Sequence, residues 1–333
     1  MGNPQKIKNP QEQPLPEDLV LSVVVPVYNE EEVLPDFHQR LSIVLNGFSW
    51  RSEIIFVNDG STDRTLEAIE NLRKNDPRVA LLDLSRNFGK EIALTAGLDF
   101  SNGQGIVVID ADLQDPPELI PELVKHWIIG YDVVYAKRLN REGESLIKKA
   151  TAHIFYRLIH RVGRFRIPED TGDFRLLSRR AVEALKQLRE QHRFMKGLFA
   201  WIGYPGKEVL FRRDPRYLGR TKWDYWNLWN FALEGVTSFT TAPLKVATYL
   251  GMVIALGAFM YAGSIIYDTL LHGNPVAGYP SLMVVILFLG GIQLITIGIL
   301  GEYLGRMFDE TKQRPLYLIK GYHPSHSTNE KPD

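Results

Sequence analysis

LVLSVVVPVY at residues 19–28, running into Asn29 and Glu30, decides how the fold is read. The run is nearly continuous in Val and Leu rather than alternating with polar residues. That is the pattern of a strand covered on both faces in a parallel sheet. Four more such runs follow: EIIFVND (53–59), VALLDLS (79–85), GIVVIDAD (105–112) and YDVVYAKR (131–138). Between them, 30–46, 63–74, 88–100 and 117–129 carry apolar residues at helical spacing. Asp115 before Pro116, with Glu118 beyond, predicts an N-cap, a first-turn proline and a capping box for the last of these helices. Strand–helix alternation implies right-handed crossovers and a doubly wound, mostly parallel α/β sheet, whose ligands lie outside the carboxyl ends of the strands.

The 333 residues hold 39 Lys+Arg, 39 Asp+Glu and no cysteine, which excludes a disulfide scaffold and a cysteine metal site. Zero net charge argues against nucleic acid as a partner. The balance is uneven along the chain. Residues 1–140 hold 13 basic and 22 acidic side chains, 141–222 hold 20 and 9, and 223–333 hold 6 and 8. Residues 1–18, with four prolines and little that is apolar, read as a disordered tail without the marks of a secretory signal. Within the basic region, Ser145–Phe165 reads as an amphipathic helix suited to an anionic membrane surface, or equally as a solvated helix on the sheet.

Val246–Tyr267 and Tyr279–Leu300 each run 22 residues without Asp, Glu, Lys, Arg or His, long enough to cross a bilayer. Two transmembrane helices are expected within 243–306, the alternative being two buried helices of a soluble protein. Their joining stretch lacks Lys and Arg, whereas Lys245, Arg306, Lys312, Arg314 and Lys320 flank the pair. The positive-inside rule then places both termini, the 19–222 domain and a 307–333 tail on the cytoplasmic side of a multi-pass membrane protein. Trp223, Tyr225, Trp226, Trp229 and Phe231 predict an aromatic interfacial helix over 223–242.

Three polar clusters fall at carboxyl ends of predicted strands: Pro26-Val27-Tyr28-Asn29-Glu30, Asn58-Asp59-Gly60-Ser61 and Asp110-Ala111-Asp112-Leu113-Gln114. The last offers two carboxylates and an amide to one hard divalent cation, Mg2+ or Mn2+, which substrate phosphates would share. Taken alone, Asp-x-Asp is more commonly explained by loop capping, and Asp115 is assigned to its helix rather than to a metal. Neither G-x-G-x-x-G after the first strand nor a P-loop occurs, so phosphate must be met by side-chain cations and the metal. The stretch from Phe211 to Lys222 supplies such cations, Arg212, Arg213, Arg216, Arg220 and Lys222, in a loop with Pro and Gly.

In this order, VVVPVYNE (23–30), NDGSTD (58–63), LSRNFGK (84–90), DADLQDPPE (110–118) and RYLGRTKW (216–223), followed by two spans, resemble the polyprenyl-phosphate glycosyltransferases of glycosyltransferase family 2. The likeness is strongest to bacterial undecaprenyl-phosphate glucosyltransferases and covers about residues 20–310. It implies a GT-A fold, a divalent metal, a nucleotide-sugar donor, a polyprenyl phosphate acceptor and a place at the bacterial inner membrane. It implies further that Pro26, Tyr28 and Glu30 line the nucleotide pocket and that Asp59 reads the base edge. Asp110 and Asp112, with Ala111 between them, and Gln114 would hold metal, ribose and diphosphate. Lys90, Arg213, Arg216 and Lys222 would meet phosphates, with Thr221 where serine is more usual. Asp173, in Thr171-Gly172-Asp173-Phe174-Arg175, matches the place of a base or acceptor-orienting carboxylate, the alternative being a salt bridge to Arg175 or a neighbouring arginine.

The expected reaction is one in-line inverting step, in which a lipid phosphate oxygen attacks the anomeric carbon. A phosphate monoester is mostly dianionic at neutral pH, so no strong base is required. Open alternatives are GDP-mannose or a UDP-aminoarabinose derivative as donor, and a non-catalytic nucleotide-sugar binder. The basic and aromatic helices suit contacts in a homo-oligomer as well as lipid.

Overall fold

The computed structural model describes residues 19–139, 171–211 and 278–326, with isolated positions between 244 and 271. The 1–18 tail, the Ser145–Phe165 segment, the cationic loop with Arg213, Arg216 and Lys222, and the 223–242 helix lie outside the described residues. The chain divides into two units, 1–229 with 315–333, and 230–314.

The first unit is built on one eight-stranded sheet. Its elements run β1 (Val20–Val27), α1 (Leu34–Asn46), β2 (Arg51–Asn58), α2 (Thr65–Asn75), β3 (Val79–Leu84), α3 (Lys90–Phe100) and β4 (Gly105–Val108). They continue α4 (Ile120–Ile128), β5 (Val133–Arg138), β6 (Thr171–Ser178), α5 (Arg179–Lys186), α6 (Met195–Trp201) and β7 (Gly206–Phe211). The strand order is β7-β5-β6-β4-β1-β2-β3-β8, the last being Ile319–His323. β1 pairs in parallel with β2 on one side and β4 on the other, and β2 with β3. β6 runs antiparallel between β4 and β5. The expected mostly parallel α/β sheet is therefore present, and all five anticipated strands appear within a few residues of their predicted limits.

The reason the runs read as continuous is burial on both faces: Val23, Val24 and Val25 of β1 and Ile54, Ile55, Phe56 and Val57 of β2 are all 0 % exposed. Each such side chain contributes about 1.5–3 kcal/mol of apolar burial. α3 lies so close over this layer that a Cβ on Gly97 would meet Val24 Cγ1 at 2.2 Å and Val57 Cγ2 at 3.0 Å. Gly97→Val is expected to cost about 3 kcal/mol, the upper end for overpacking, and a thermal melt of the full chain in detergent checks this.

Two expectations need correction. Asp115 does not cap a helix. Pro116 is extended, with ψ 122°, since a proline follows it, and a short 3-10 turn, Pro117–Leu119, precedes α4 without a side-chain cap. Glu118 forms no capping box but a two-pronged pair with Arg40, at 2.9 and 2.8 Å. The 307–333 stretch carries a further strand: β8 pairs antiparallel with β3, and Lys320 lies 3.4 Å from Asp83. Tyr317 donates to Asp99 at 2.8 Å, and the Tyr322 ring packs on Phe100 at 4.6 Å. A lysine on a short outer strand is a usual guard against edge-to-edge pairing.

In the second unit, α7 runs Tyr279–Thr311, eleven residues past the predicted end at Leu300. Within it Phe288–Thr311 is long and apolar enough to cross a membrane. Among the described residues it is the one helix that meets this measure, so a pair of spans is not established. Much of 246–267 lies outside the described residues, and its described positions are helical.

Candidate active site

β1 is followed by β2 and β3 on one side while β4 lies on its other side, so the order of the sheet reverses between β1 and β4. A crevice at the carboxyl ends is expected there. The loops leaving these strands are laced together. Asn29, at φ 55°, receives the Thr62 N–H on its side-chain oxygen at 2.8 Å, and its own N–H donates to Ser61 Oγ at 3.1 Å. The Glu30 N–H donates to Thr65 Oγ1 at 2.8 Å. Pro26 lies opposite Val57, one residue before the paired part of β1 ends at Val27, and Tyr28 stands 39 % exposed beside these loops.

The next loop is tied by Asp59. Its two carboxylate oxygens accept the N–H groups of Phe88 and Gly89, at 2.7 and 2.9 Å. Burial raises the Asp59 carboxyl in spite of these bonds and Arg86. Gly60, at φ +65°, leaves room for the close approach, since a Cβ there would lie 2.4 Å from the Arg86 carbonyl carbon. Asp59 thus organises the 86–89 loop, a backbone task that its match to a base-reading position did not suggest.

That loop delivers Lys90, the first residue of α3, to the centre of the site. Lys90 Nζ donates to Asp110 Oδ2 at 2.7 Å and to Asp173 Oδ2 at 2.6 Å, joining residues 20 and 83 positions away. Burial alone would lower the ammonium's pKa, but Asp110 and Asp173 outweigh it and hold it well above its usual range. Asp173 is the converse: burial would raise it, yet Lys90, then Lys196 and Arg175, keep it far below the usual carboxylate range. Asp110 is raised by burial, with Asp173 and Asp112 adding and Lys90 opposing.

Asp173 is 7 % exposed, and its Oδ1 has no hydrogen-bond partner among the described residues. The salt bridge to Arg175 considered from sequence is not what forms. Arg175 donates instead to the backbone carbonyls of Gly172 and Asp173, at 2.8 and 3.2 Å, and its guanidinium lies 3.7 Å from the Phe199 ring centre. Burial brings its pKa down to about 10.

After β4, Asp112 Oδ1 accepts the Gln114 N–H at 3.1 Å, Ala111 is buried and Leu113 takes φ 58°. This folds Asp110, Asp112 and Gln114 into one tight turn. Their oxygens suit a hard divalent cation, and the crowding that raises Asp110 is what a cation relieves. Among the described residues no three His, Cys, Asp or Glu side chains gather as a full ligand set.

Three neighbours, Arg138, Glu91 and Lys196, were not singled out in the sequence, and Asp115 was singled out only as a helix cap. A Cβ on Gly172 would come within 3.6 Å of Arg138 Nη2 and 3.7 Å of Asp115 Oδ2, so both back the Asp173 turn. Glu91 and Lys196 each bear electrostatically on Asp173. Only Glu91 carried a local signal, its place beside Lys90.

The model of Glycosyl transferase family 2 matches residues 22–186, and that of the GtrB C-terminal hairpin matches residues 242–307. An uncharacterized glycosyltransferase of Synechocystis is 55 % identical over 299 residues, 90 % of this chain and 94 % of that protein. A prophage bactoprenol glucosyl transferase homolog of Escherichia coli is 50 % identical over 90 % of this chain and 98 % of its own length. The bactoprenol glucosyl transferase of Shigella phage SfII is 49 % identical over 91 % and 98 %. With the crevice, its aspartates and relatives of this closeness along nine-tenths of its length, the chain belongs to glycosyltransferase family 2 and is a glycosyltransferase.

Proposed function

We propose that this chain transfers a sugar, glucose before other candidates, from a nucleotide-sugar to polyprenyl phosphate at the cytoplasmic face of a bacterial membrane. The carrying observation is the Asp110–Lys90–Asp173 bridge at the mouth of the sheet. The names of the relatives, bactoprenol glucosyl transferases, support the acceptor and the sugar. The helix Phe288–Thr311, with the hairpin match over 242–307, supports a membrane anchor, and the reading keeps two spans.

In this reading an acceptor phosphate oxygen forms a bond to the anomeric carbon as the bond to the nucleotide diphosphate breaks. Pro26, Tyr28 and Glu30 line the nucleotide pocket, and Asp59 shapes it through the 86–89 loop. Asp110, Asp112 and Gln114 hold a divalent cation, which supplies Lewis-acid stabilisation of the leaving diphosphate when bound. Lys90 adds a second positive charge where negative charge develops. Asp173 is a catalytic residue, its buried Oδ1 placed to accept the proton of an acceptor phosphate that is still monoanionic, so that it orients the acceptor and acts only as a weak base, because most of the phosphate is already ionised. Arg213, Arg216 and Lys222 meet the phosphates from the cationic loop.

The test is labelled UDP-glucose with undecaprenyl phosphate and the full chain in detergent. A chloroform-soluble labelled product is expected, whereas nucleotide binding without product would identify a binder. A panel of other labelled nucleotide sugars ranks the donors. Excess EDTA is expected to lower transfer by at least about 100-fold, restored by Mg2+ or Mn2+. Undiminished transfer would remove Asp110, Asp112 and Gln114 from the metal role.

A further inference from the structure

Glu91 follows Lys90 on α3 and is outside the bridge, yet it faces the same centre. Its Oε2 accepts the backbone N–H of Met195, the first residue of α6, at 3.0 Å. The first N–H groups of a helix lack partners within the helix, and Phe194 at the N-cap supplies no side-chain cap. Glu91 provides from another helix the acceptor that α6 lacks. Thr95, one turn along α3, reinforces the seam, donating to the Glu91 carbonyl at 2.8 Å and contacting Met195 Sδ at 3.7 Å. Beyond it, Arg175 of β6 lies over Phe199 of α6. The residue after the capped N–H is Lys196, whose charge bears on both Asp173 and Glu91.

We propose that Glu91 is a positioning residue of the transfer site: by capping α6 from α3 it sets where Lys196 stands beside Asp173, so that a cation is held ready for the anionic acceptor. This rests on the reading that the acceptor is a lipid phosphate. The groups that face Glu91 are Lys90 on its own helix, Asp173 and Arg175 on β6, and Arg193 and Lys196 before and on α6. Burial, then Asp173, pushes the Glu91 carboxyl up to about 7, with Lys90, the Met195 N–H and Lys196 opposing. Below that pH the carboxyl is neutral, still accepts the N–H, and leaves the centre one unit more positive. Above it, the added negative charge weakens the hold on an anionic acceptor.

Four variants of the full chain in detergent decide this: Glu91→Gln, Glu91→Ala, Lys196→Ala and the double alanine variant. The measurements are kcat and KM for undecaprenyl phosphate between about pH 6 and pH 8. Glu91→Gln keeps an acceptor oxygen but no charge, so its KM is expected to match wild type at the acid end and to lose at least about threefold of the rise toward the alkaline end. Glu91→Ala is expected to raise KM about tenfold with little change in kcat, and no further on a Lys196→Ala background. Multiplying effects in the double variant, a glutamine variant as impaired as the alanine one, or a wild-type pH profile in the glutamine variant would each overturn the proposal. If Glu91→Ala does not fold, the glutamine profile and the Lys196→Ala KM decide alone. A wild-type chain that forms no lipid-linked product refutes the acceptor reading instead, whatever the variants do.

Discussion

Lys90→Met is expected to lower kcat/KM by about 10²–10³, the effect of removing one preorganised charge from a site where negative charge develops. The ammonium is the only group that donates to both Asp110 and Asp173 among the described residues, at 2.7 and 2.6 Å. Without it two carboxylates face each other across the crevice, and the strain falls mostly on Asp173, whose side chain is 9 % exposed, against 24 % for Asp110. The Asp110 pKa should rise further, since the one group now opposing its burial is Lys90. A carboxyl that holds its proton more tightly is a poorer cation ligand, so the metal concentration giving half-maximal rate should rise together with the loss of rate. Lys90→Arg is not expected to restore activity, because a planar guanidinium does not reproduce a point charge set between two oxygens. A Lys90→Met enzyme within tenfold of wild type would refute the electrostatic role.

Asp173→Asn is expected to cut kcat by about 10²–10⁴, the range for a positioned group acting on the reacting atoms. The amide is nearly the same size, so the loss isolates charge and hydrogen bonding from packing. Asp173 is held far below the usual carboxylate range, chiefly by Lys90 against the cost of burial. A depressed carboxylate contributes stability that is present above its unfolded pKa of about 3.9 and is lost as pH falls through the folded value. The asparagine variant should therefore melt lower than wild type at neutral pH, and the gap should narrow as the pH is taken below about 4. Full turnover of Asp173→Asn with normal lipid acceptor would remove Asp173 from the chemistry and leave it a structural partner of Lys90.

Much of this was readable from residue order. Asp110, Asp112 and Gln114 stand within five residues and needed only a turn to meet, which Leu113 at φ 58° completes. Asp173 was legible as a candidate but not as the partner of Lys90. Which of several cations reaches a carboxylate depends on strand order, and β6 enters the sheet antiparallel beside β4, a placement that no local pattern announces. For Asp59 the motif gave a place in a loop, and only the fold added that its carboxylate holds the Phe88 and Gly89 amides. Asp115 misled because a capping pattern is local, whereas consecutive prolines pushed the helix start beyond its reach.

By itself the sequence determined five of the eight strands, since burial on both faces demands uninterrupted apolar runs, and it determined the apolar helix, since hydrocarbon tolerates few charges over such a length. It also narrowed the candidate chemistry of the site, because hard oxygen ligands and phosphate-seeking cations are properties of residue types. Only the tertiary structure decided the pairings: Lys90 with aspartates 20 and 83 residues away, Glu91 with the start of α6, and the return of Ile319–His323 to the edge of β3. Those contacts cross the chain, and their partners are selected by crossover and register, which depend on how whole elements pack rather than on the residues beside them.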